Sequence, residues 1–133
     1  MLHTGGTKWE LKQVELNTIA ASFSNLSTIT SQLHKYIVTR YSSLLSKQYS
    51  PLNLAVNDSQ TPIIQALATA FNLYKKQSSV IVMIVHPNET NTFDQRILEF
   101  LLWDKHNIKL LRRSLLDINE RGKMDPISRI LTM

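Results

Sequence analysis

The chain has 133 residues, of which 43% are hydrophobic and 19% charged, as in an ordinary globular protein of one domain. It contains no cysteine, which excludes disulfide scaffolds, thiolate zinc sites and cysteine nucleophiles. Its three glycines match neither of the common glycine-rich phosphate-binding motifs, and its formal net charge is +5.

The positive charge by itself suggests a nucleic-acid-binding protein. The basic residues are dispersed, however, and the only adjacent pairs are Lys75–Lys76 and Arg112–Arg113. Aromatic residues do not alternate with them as they do in single-strand binding grooves. We therefore favour a solvated surface with no nucleic-acid partner over a polyanion-binding surface.

The longest apolar run, Val80–Val85, is too short to span a bilayer. The first residues resemble neither a signal peptide nor a basic presequence. We expect a cytoplasmic protein that makes no contact with a membrane.

Residues 1–10 are expected to be an unstructured lead-in, and residues 11–133 to form one domain. From Lys12 to Ile19 polar and apolar residues alternate, which predicts a strand with one polar face.

A first helix is predicted to begin at a capping serine, Ser22 or Ser24, and to fade near Tyr41. Its predicted inward stripe consists of Leu26, Ile29, Leu33 and Ile37. Residues Leu52–Val56 follow as a short predicted strand.

A second helix is predicted from Thr61–Pro62, with proline at its first position. Its apolar residues recur at helical spacing: Ile63, Leu67, Ala70, Phe71 and Tyr74. The β-branched run Val80–Val85 is typical of a strand covered on both faces.

A third helix is predicted to be capped by Asn91 or Thr92 and to end at Asn107. The residues expected to face inward are Phe93, Ile97, Phe100 and Leu101. Ile108–Leu111 is then the next predicted strand. The order β-α-β-α-β-α-β indicates an α/β protein with a three-layer, mostly parallel sheet flanked by helices, and with the N-terminal strand on the active-site side.

In open α/β sheets, ligands bind at the carboxyl ends of the strands, beside helix N-termini. Here that place is the segment 86–95, in which polar and charged side chains follow the buried strand: Asn88, Glu89, Asn91, Asp94 and Gln95. The pattern alone favours the alternative, a capping loop in which Glu89 and Asp94 complement the helix dipole.

A second candidate is the pair Glu15 and Asn17. Residues two apart on a strand project to the same face, so a carboxylate and an amide oxygen lie side by side. Few hard oxygen ligands, completed by water and phosphate, are how Mg²⁺ is usually held. The spacing alone favours ordinary polar residues on a solvent-facing edge strand.

Both candidates fall within a longer resemblance. Residues 12–23 (KQVELNTIAASF) resemble a strand-loop segment of the eukaryotic glutathione synthetase family, and residues 89–95 (ETNTFDQ) resemble its signature Glu-Arg-Asn-x-Phe-Asp-Gln. Residues 110–113 (LLRR) and 117–120 (DINE) continue the resemblance in the same order. It extends from about Leu11 to Arg129.

The resemblance implies roles for particular residues. Glu15 and Asn17 match Mg²⁺ ligands that hold the metal against the phosphates of ATP. The residues that match contacts to the γ-glutamylcysteine substrate are Ile19, Ala20, Ala21, Ser22, Glu89 and Gln95. The family commonly has serine at the position of Ala20, so one hydroxyl contact is missing there.

The family reaction joins γ-glutamylcysteine and glycine with ATP hydrolysis, through an acyl phosphate. The resemblance implies that the complete enzyme is a homodimer. The family's ATP-grasp region, with its lysines, its Gly-rich lid and a further Mg²⁺ carboxylate, does not match any residue of this chain. The resemblance therefore implies that this chain is the substrate-binding portion of a ligase, and that this portion is inactive by itself. The alternative is a non-catalytic α/β module that keeps the fold and binds a peptide or protein partner.

Overall fold

A computed structural model of the chain describes residues 2–3, 10–17, 22–46, 50–76 and 78–133. In these residues the helices are α1 (Ser24–Arg40), α2 (Gln60–Tyr74), α3 (Thr92–His106) and α4 (Leu115–Arg121), with a 3₁₀ turn at Pro51–Asn53. The strands are β1 (Leu2–His3), β2 (Glu10–Leu11), β3 (Ile81–Ile84), β4 (Leu110–Arg113), β5 (Lys123–Met124) and β6 (Leu131–Thr132).

The central sheet is a parallel pair, β3 and β4, joined through the crossover helix α3. Its register pairs Ile81 with Leu110 and Ile84 with Arg113. The Val85 N–H extends the pairing by donating to the Arg113 carbonyl over 2.9 Å. The mixed α/β class is confirmed, but the parallel sheet has only two strands in the described residues, so the expected three-layer sheet is not observed.

One small hydrophobic core joins α2, α3 and β4. Its buried residues are Ile64, Ala68, Leu102, Ile108 and Leu110, and several half-buried side chains pack against it, among them Leu67, Phe71, Ile81 and Leu98. Strand β3 is half-buried rather than covered on both faces, since two of its residues contribute to this core while its last, Ile84, is exposed.

The N-terminal segment differs from the prediction. Leu2–His3 pairs with Glu10–Leu11 in an antiparallel ladder, where an unstructured lead-in was expected. Residues 12–17 form no strand; Val14 and Leu16 are 67% and 79% exposed. The alternating pattern is present, but a strand also needs a neighbour to accept its hydrogen bonds, and no described strand lies beside this segment. Ile19, the predicted end of the strand, lies outside the described residues.

The short strand predicted at Leu52–Val56 is also wrong. The chain makes a 3₁₀ turn at Pro51–Asn53 and then continues without regular structure, and Val56 is 95% exposed. Five residues with no sheet edge to join do not stay extended as a strand.

All three long helices are present, but the faces they bury were predicted less well. In α3, Phe93 and Phe100 point outward and are 80% and 63% exposed, because Leu98, Leu101 and Leu102 occupy the inner face. In α1 the predicted stripe is largely exposed, including Ile29, Leu33 and Ile37, and the buried residues are Asn25, Thr28 and Val38.

Two boundaries are also shifted. Helix α2 begins at Gln60, which places Pro62 third in the first turn, where the missing N–H is still without cost. Helix α3 ends as predicted, with Asn107 as its left-handed cap, and strand β4 begins two residues later than predicted.

The N-terminus of α1 is not capped by a serine. The preceding residue is Phe23, in the left-handed region with φ of 65°, and its side chain offers no cap. Instead, the buried carboxylate of Asp94 on α3 accepts hydrogen bonds from the backbone N–H groups of Phe23, Asn25 and Leu26 over 3.0 to 3.1 Å. The Asn25 Nδ2 in turn donates a hydrogen bond to the backbone carbonyl of Asp94 over 2.8 Å. One carboxylate therefore fixes α1 against α3.

We expect Asp94→Asn to destabilise the chain by about 2 kcal/mol, because an amide oxygen accepts these bonds less strongly and its NH₂ group is turned toward other donors. Urea unfolding followed by circular dichroism measures the loss. The matched control is Asp104→Asn, an exposed aspartate on the same helix, which should change the free energy of unfolding by less than about 0.5 kcal/mol. Equal losses in the two variants would contradict the cap.

Candidate functional site

A cleft lies at the carboxyl ends of the parallel strands β3 and β4, where the α/β architecture predicted a ligand site. Its volume is about 390 Å³. The residues that line it come from the β3–α3 loop, the first turns of α3, the end of β4 and the start of α4, and include His86, Glu89, Arg96, Arg112, Arg113 and Asp117. The wall is therefore dominated by charged and polar groups.

Glu89 is half-buried in the loop before α3. Its carboxylate accepts a hydrogen bond from the Asn91 N–H over 2.7 Å. This backbone bond lowers the pKa of Glu89 below its ordinary value, and a hydrogen bond from the Gln95 side chain and the charge of Arg112 lower it further. Glu89 is therefore ionised at neutral pH. Its carboxylate is held by the loop before α3, and the residue lines the cleft.

Gln95 lies one turn into α3 and reaches across to the neighbouring strand. Its Oε1 accepts two hydrogen bonds from the Arg112 guanidinium, from Nε over 3.1 Å and from Nη2 over 2.6 Å. The predicted pair Glu89 and Gln95 is thus brought together, and Arg112 joins it as a third member. The alternative of a simple capping loop accounts for Glu89 bonding Asn91, but not for the link from Gln95 to β4.

The floor of the cleft is held by the start of α4. Ser114 and Asp117 form a capping box: the Ser114 Oγ accepts from the Asp117 N–H over 3.0 Å, and the Asp117 carboxylate accepts from the Ser114 N–H over 2.9 Å. The bonds from Ser114 lower the pKa of Asp117, and the nearby charges of Arg121 and Arg113 contribute less. This box fixes the end of β4, and with it Arg112.

Glu15 and Asn17 are adjacent but exposed, and neither lines this cleft. The Asn17 Nδ2 donates to the Glu15 Oε1 over 3.0 Å. Their side chains thus meet as predicted, although the backbone between them is not a strand. Within the part of the chain that the structure describes, no group of three or more metal-binding side chains is present.

The loop predicted to contact substrate is only partly described. Ile19, Ala20 and Ala21 lie outside the described residues, and Ser22 is exposed just before α1. Its neighbour Phe23 is bonded to Asp94, the residue next to Gln95. The end of this loop is therefore tied to the first turn of the helix that carries Gln95.

Sequence reasoning missed two residues that organise the site. The local pattern assigns Asp94 to the dipole of its own helix, whereas Asp94 caps a helix whose Asn25 lies 69 residues earlier in the sequence, for which no local signal exists. For Arg112 the sequence offers a basic pair with Arg113 and a place in the resemblance, but no assigned role. The available signal was its position: a basic residue at the carboxyl end of a strand, where ligands bind.

A family model for the eukaryotic glutathione synthase ATP-binding domain matches residues 1–123. The glutathione synthetase of Dictyostelium discoideum is 42% identical over 90% of this chain and 25% of its own length. The chloroplastic glutathione synthetase of Arabidopsis thaliana is 34% identical over 86% of this chain and 21% of its own. The human glutathione synthetase is 34% identical over 90% and 24% respectively.

Among solved structures, that of a glutathione synthetase-like effector from Globodera pallida matches with a TM-score of 0.73 and 22% identity, over 95% of this chain and 30% of that chain. This likeness concerns the fold. The chain spans about a quarter of the length of the curated relatives named above. With the signature residues gathered at one edge of the sheet and the family model covering nearly the whole sequence, the chain belongs to the eukaryotic glutathione synthetase family.

Proposed function

We propose that this chain is the substrate-binding portion of a glutathione synthetase, which joins γ-glutamylcysteine to glycine with ATP hydrolysis. The observation that carries the proposal is that Glu89 and Arg112 line one cleft at the carboxyl ends of β3 and β4, with Gln95 hydrogen-bonded to Arg112. Family membership supports the identity of the reaction.

In this proposal the cleft binds the dipeptide. The Glu89 carboxylate is a counter-charge for the substrate ammonium, and Gln95 supplies a hydrogen-bonding amide beside it. The loop of Ile19, Ala20, Ala21 and Ser22 adds contacts to the same substrate. Asp94 supports this arrangement by holding the end of the loop against α3.

Glu15 and Asn17 are proposed to hold Mg²⁺ with ATP, and Glu15 to contribute to nucleotide binding. Their donor types fit, because a carboxylate and an amide oxygen are ligands that Mg²⁺ accepts, and their polar ends already meet within 3.0 Å. If the side-chain amide of Asn17 rotates by half a turn, its oxygen takes the position that its nitrogen now occupies, beside the Glu15 carboxylate. The metal, when bound, supplies charge neutralisation of the phosphates.

The reaction requires alignment more than acid–base chemistry. The substrate carboxylate takes the γ-phosphoryl group of ATP and releases ADP, and the amine of glycine then displaces phosphate from the acyl phosphate. The residues of this chain contribute by holding the dipeptide with its charges compensated, so that its cysteine carboxylate is presented to the nucleotide.

The wider setting is also proposed. The ATP-grasp region of the same ligase completes the site, residues 11–133 form one part of the substrate-binding domain, and β3 and β4 belong to a larger three-layer sheet. The complete enzyme is proposed to be a cytoplasmic homodimer without nucleic-acid partners. No helix in the described ranges has both the length and the apolar character needed to cross a bilayer. The second candidate, a non-catalytic α/β module that keeps the fold and binds a peptide or protein partner, is distinguished from the first by the kinetic experiment on Glu89 below.

The isolated 133-residue chain is expected to form no glutathione, because it carries only part of the proposed site. Purified chain is incubated with γ-glutamylcysteine, glycine, ATP and Mg²⁺, and product is measured by mass spectrometry, with a full-length glutathione synthetase as the positive control. Product that depends on both ATP and glycine would overturn this expectation.

Mg²⁺ alone is expected to bind the isolated chain weakly, with a dissociation constant on the millimolar scale. Two protein oxygens do not replace the phosphates and waters that Mg²⁺ retains in nucleotide sites. Isothermal titration calorimetry measures the affinity, and Glu15→Gln serves as the comparison. Micromolar affinity without nucleotide would count against these two residues as part of a shared metal–phosphate site.

In the full-length ligase, Glu89→Gln is expected to raise the KM for γ-glutamylcysteine roughly 10- to 100-fold, because the substrate ammonium loses its counter-charge. The KM for ATP and the melting temperature should change little. Steady-state kinetics with each substrate varied in turn, together with thermal unfolding, make the measurement.

The matched control is Glu120→Gln, an exposed glutamate on α4 outside the cleft, which should leave both KM values unchanged. Gln95→Ala should also raise the KM for γ-glutamylcysteine. An equal rise in both KM values, or a loss of stability with normal kinetics, would return Glu89 to a purely structural role.

A further inference from the structure

The contact between Arg112 and Gln95 is unusual for a half-buried arginine, because its partner is neutral. Both guanidinium donors, Nε and Nη2, converge on the single oxygen Oε1 of Gln95. The Arg112 guanidinium is therefore oriented by two hydrogen bonds to a neutral amide oxygen.

These two bonds also decide the orientation of the amide. An amide side chain has an accepting oxygen and a donating nitrogen, and a guanidinium has donors only. Since Oε1 is held by Arg112, the nitrogen Nε2 must be directed elsewhere. The Gln95 side chain helps to lower the pKa of Glu89, which is the effect of a donor near that carboxylate, so Nε2 lies on the Glu89 side.

The three residues thus form a series: the Arg112 guanidinium donates to Gln95 Oε1, which leaves the NH₂ group of Gln95 on the side of Glu89. Each comes from a different element, respectively β4, the first turns of α3 and the loop before α3. Arg113, the next residue on the strand, is not in the series; its Nη1 donates to the backbone carbonyl of Arg112.

We propose that Arg112 is a positioning residue of the dipeptide site, which holds Gln95 so that its NH₂ group, and not its oxygen, faces Glu89 and the ligand. This inference rests on the proposed function. It also specifies the chemistry recognised there: the atom of the ligand that meets Gln95 is a hydrogen-bond acceptor, a carboxylate or carbonyl oxygen, and it lies beside the ammonium that meets Glu89. An α-amino acid end group presents this combination.

The first experiment uses the full-length ligase. Arg112→Ala is expected to raise the KM for γ-glutamylcysteine about 10-fold or more, with the KM for ATP unchanged. Arg112→Lys should have a KM for γ-glutamylcysteine close to that of Arg112→Ala, because an ammonium does not reproduce the two hydrogen bonds that a guanidinium donates to one oxygen. Gln95→Glu keeps the partner of Arg112 but removes the donor, so it should be as harmful as Gln95→Ala.

The matched control is Arg113→Ala, which removes the same charge from the same cleft without touching Gln95. If it raises the KM for γ-glutamylcysteine as much as Arg112→Ala does, the effect is one of charge alone and the positioning role is overturned. A fall in melting temperature with unchanged KM values in Arg112→Ala would overturn it as well.

The second experiment uses the 133-residue chain and does not depend on activity. The pKa of the Glu89 carboxyl group, followed by NMR titration, should lie below its ordinary value. It should rise in Arg112→Lys, which keeps the positive charge but loses the two-donor contact with Gln95, and not in Arg113→Lys. An unchanged pKa in Arg112→Lys would overturn the inference about the orientation of Gln95.

The two experiments separate the failure of each proposal. If Glu89→Gln raises the KM for γ-glutamylcysteine and Arg112→Ala does not, the function stands and the positioning role fails. If neither variant changes the KM for γ-glutamylcysteine while the titration behaves as expected, the orientation of Gln95 is supported. The dipeptide-binding function then fails, and with it the role of Arg112 in substrate binding.

Discussion

The arrangement of the described residues depends on one buried carboxylate. Asp94 accepts three backbone N–H groups at the start of α1, and these are donors that have no partner within their own helix. The positive end of the α1 dipole is therefore compensated from another helix. Because Asp94 lies in the first turn of α3, the same turn that sends Gln95 toward β4, the position of α1 and the geometry of the cleft are fixed by adjacent residues.

Polar contacts also join α1 to α2. The Thr28 hydroxyl of α1 accepts a hydrogen bond from the N–H of Gln60, the first residue of α2, over 3.2 Å. The Ser59 hydroxyl donates to the Ser24 carbonyl over 2.7 Å. Helix α1 is thus held by its buried polar residues, while apolar side chains such as Leu33 and Tyr36 remain exposed. This explains why the apolar spacing predicts the helix but not the face that it buries.

The elements that could be predicted from sequence are those whose signals are local. The run Val80–Val85, the proline near the start of α2 and the asparagine at the end of α3 each carry their own conformational preference. The strand expected at Lys12–Ile19 required a neighbouring strand, and the inward face of α3 required knowledge of what packs on it. In the site, Glu89 and Gln95 were found through a family motif. Their joining by Arg112, 17 residues beyond Gln95, is a tertiary contact that no local pattern encodes.

The parallel pairing of β3 with β4 also determines when the cleft appears during folding. Parallel neighbours cannot meet through a tight turn, so the chain must complete the crossover through α3 before Ile81 and Leu110 come into register. Pairing over such a separation is costly in chain entropy and is therefore a late event compared with helix formation. Gln95 travels with α3 and Arg112 with β4, and they meet only when this step is complete. The cleft and the sheet are in this sense a single cooperative unit: a chain that has formed its helices but has not yet paired its strands does not have this cleft.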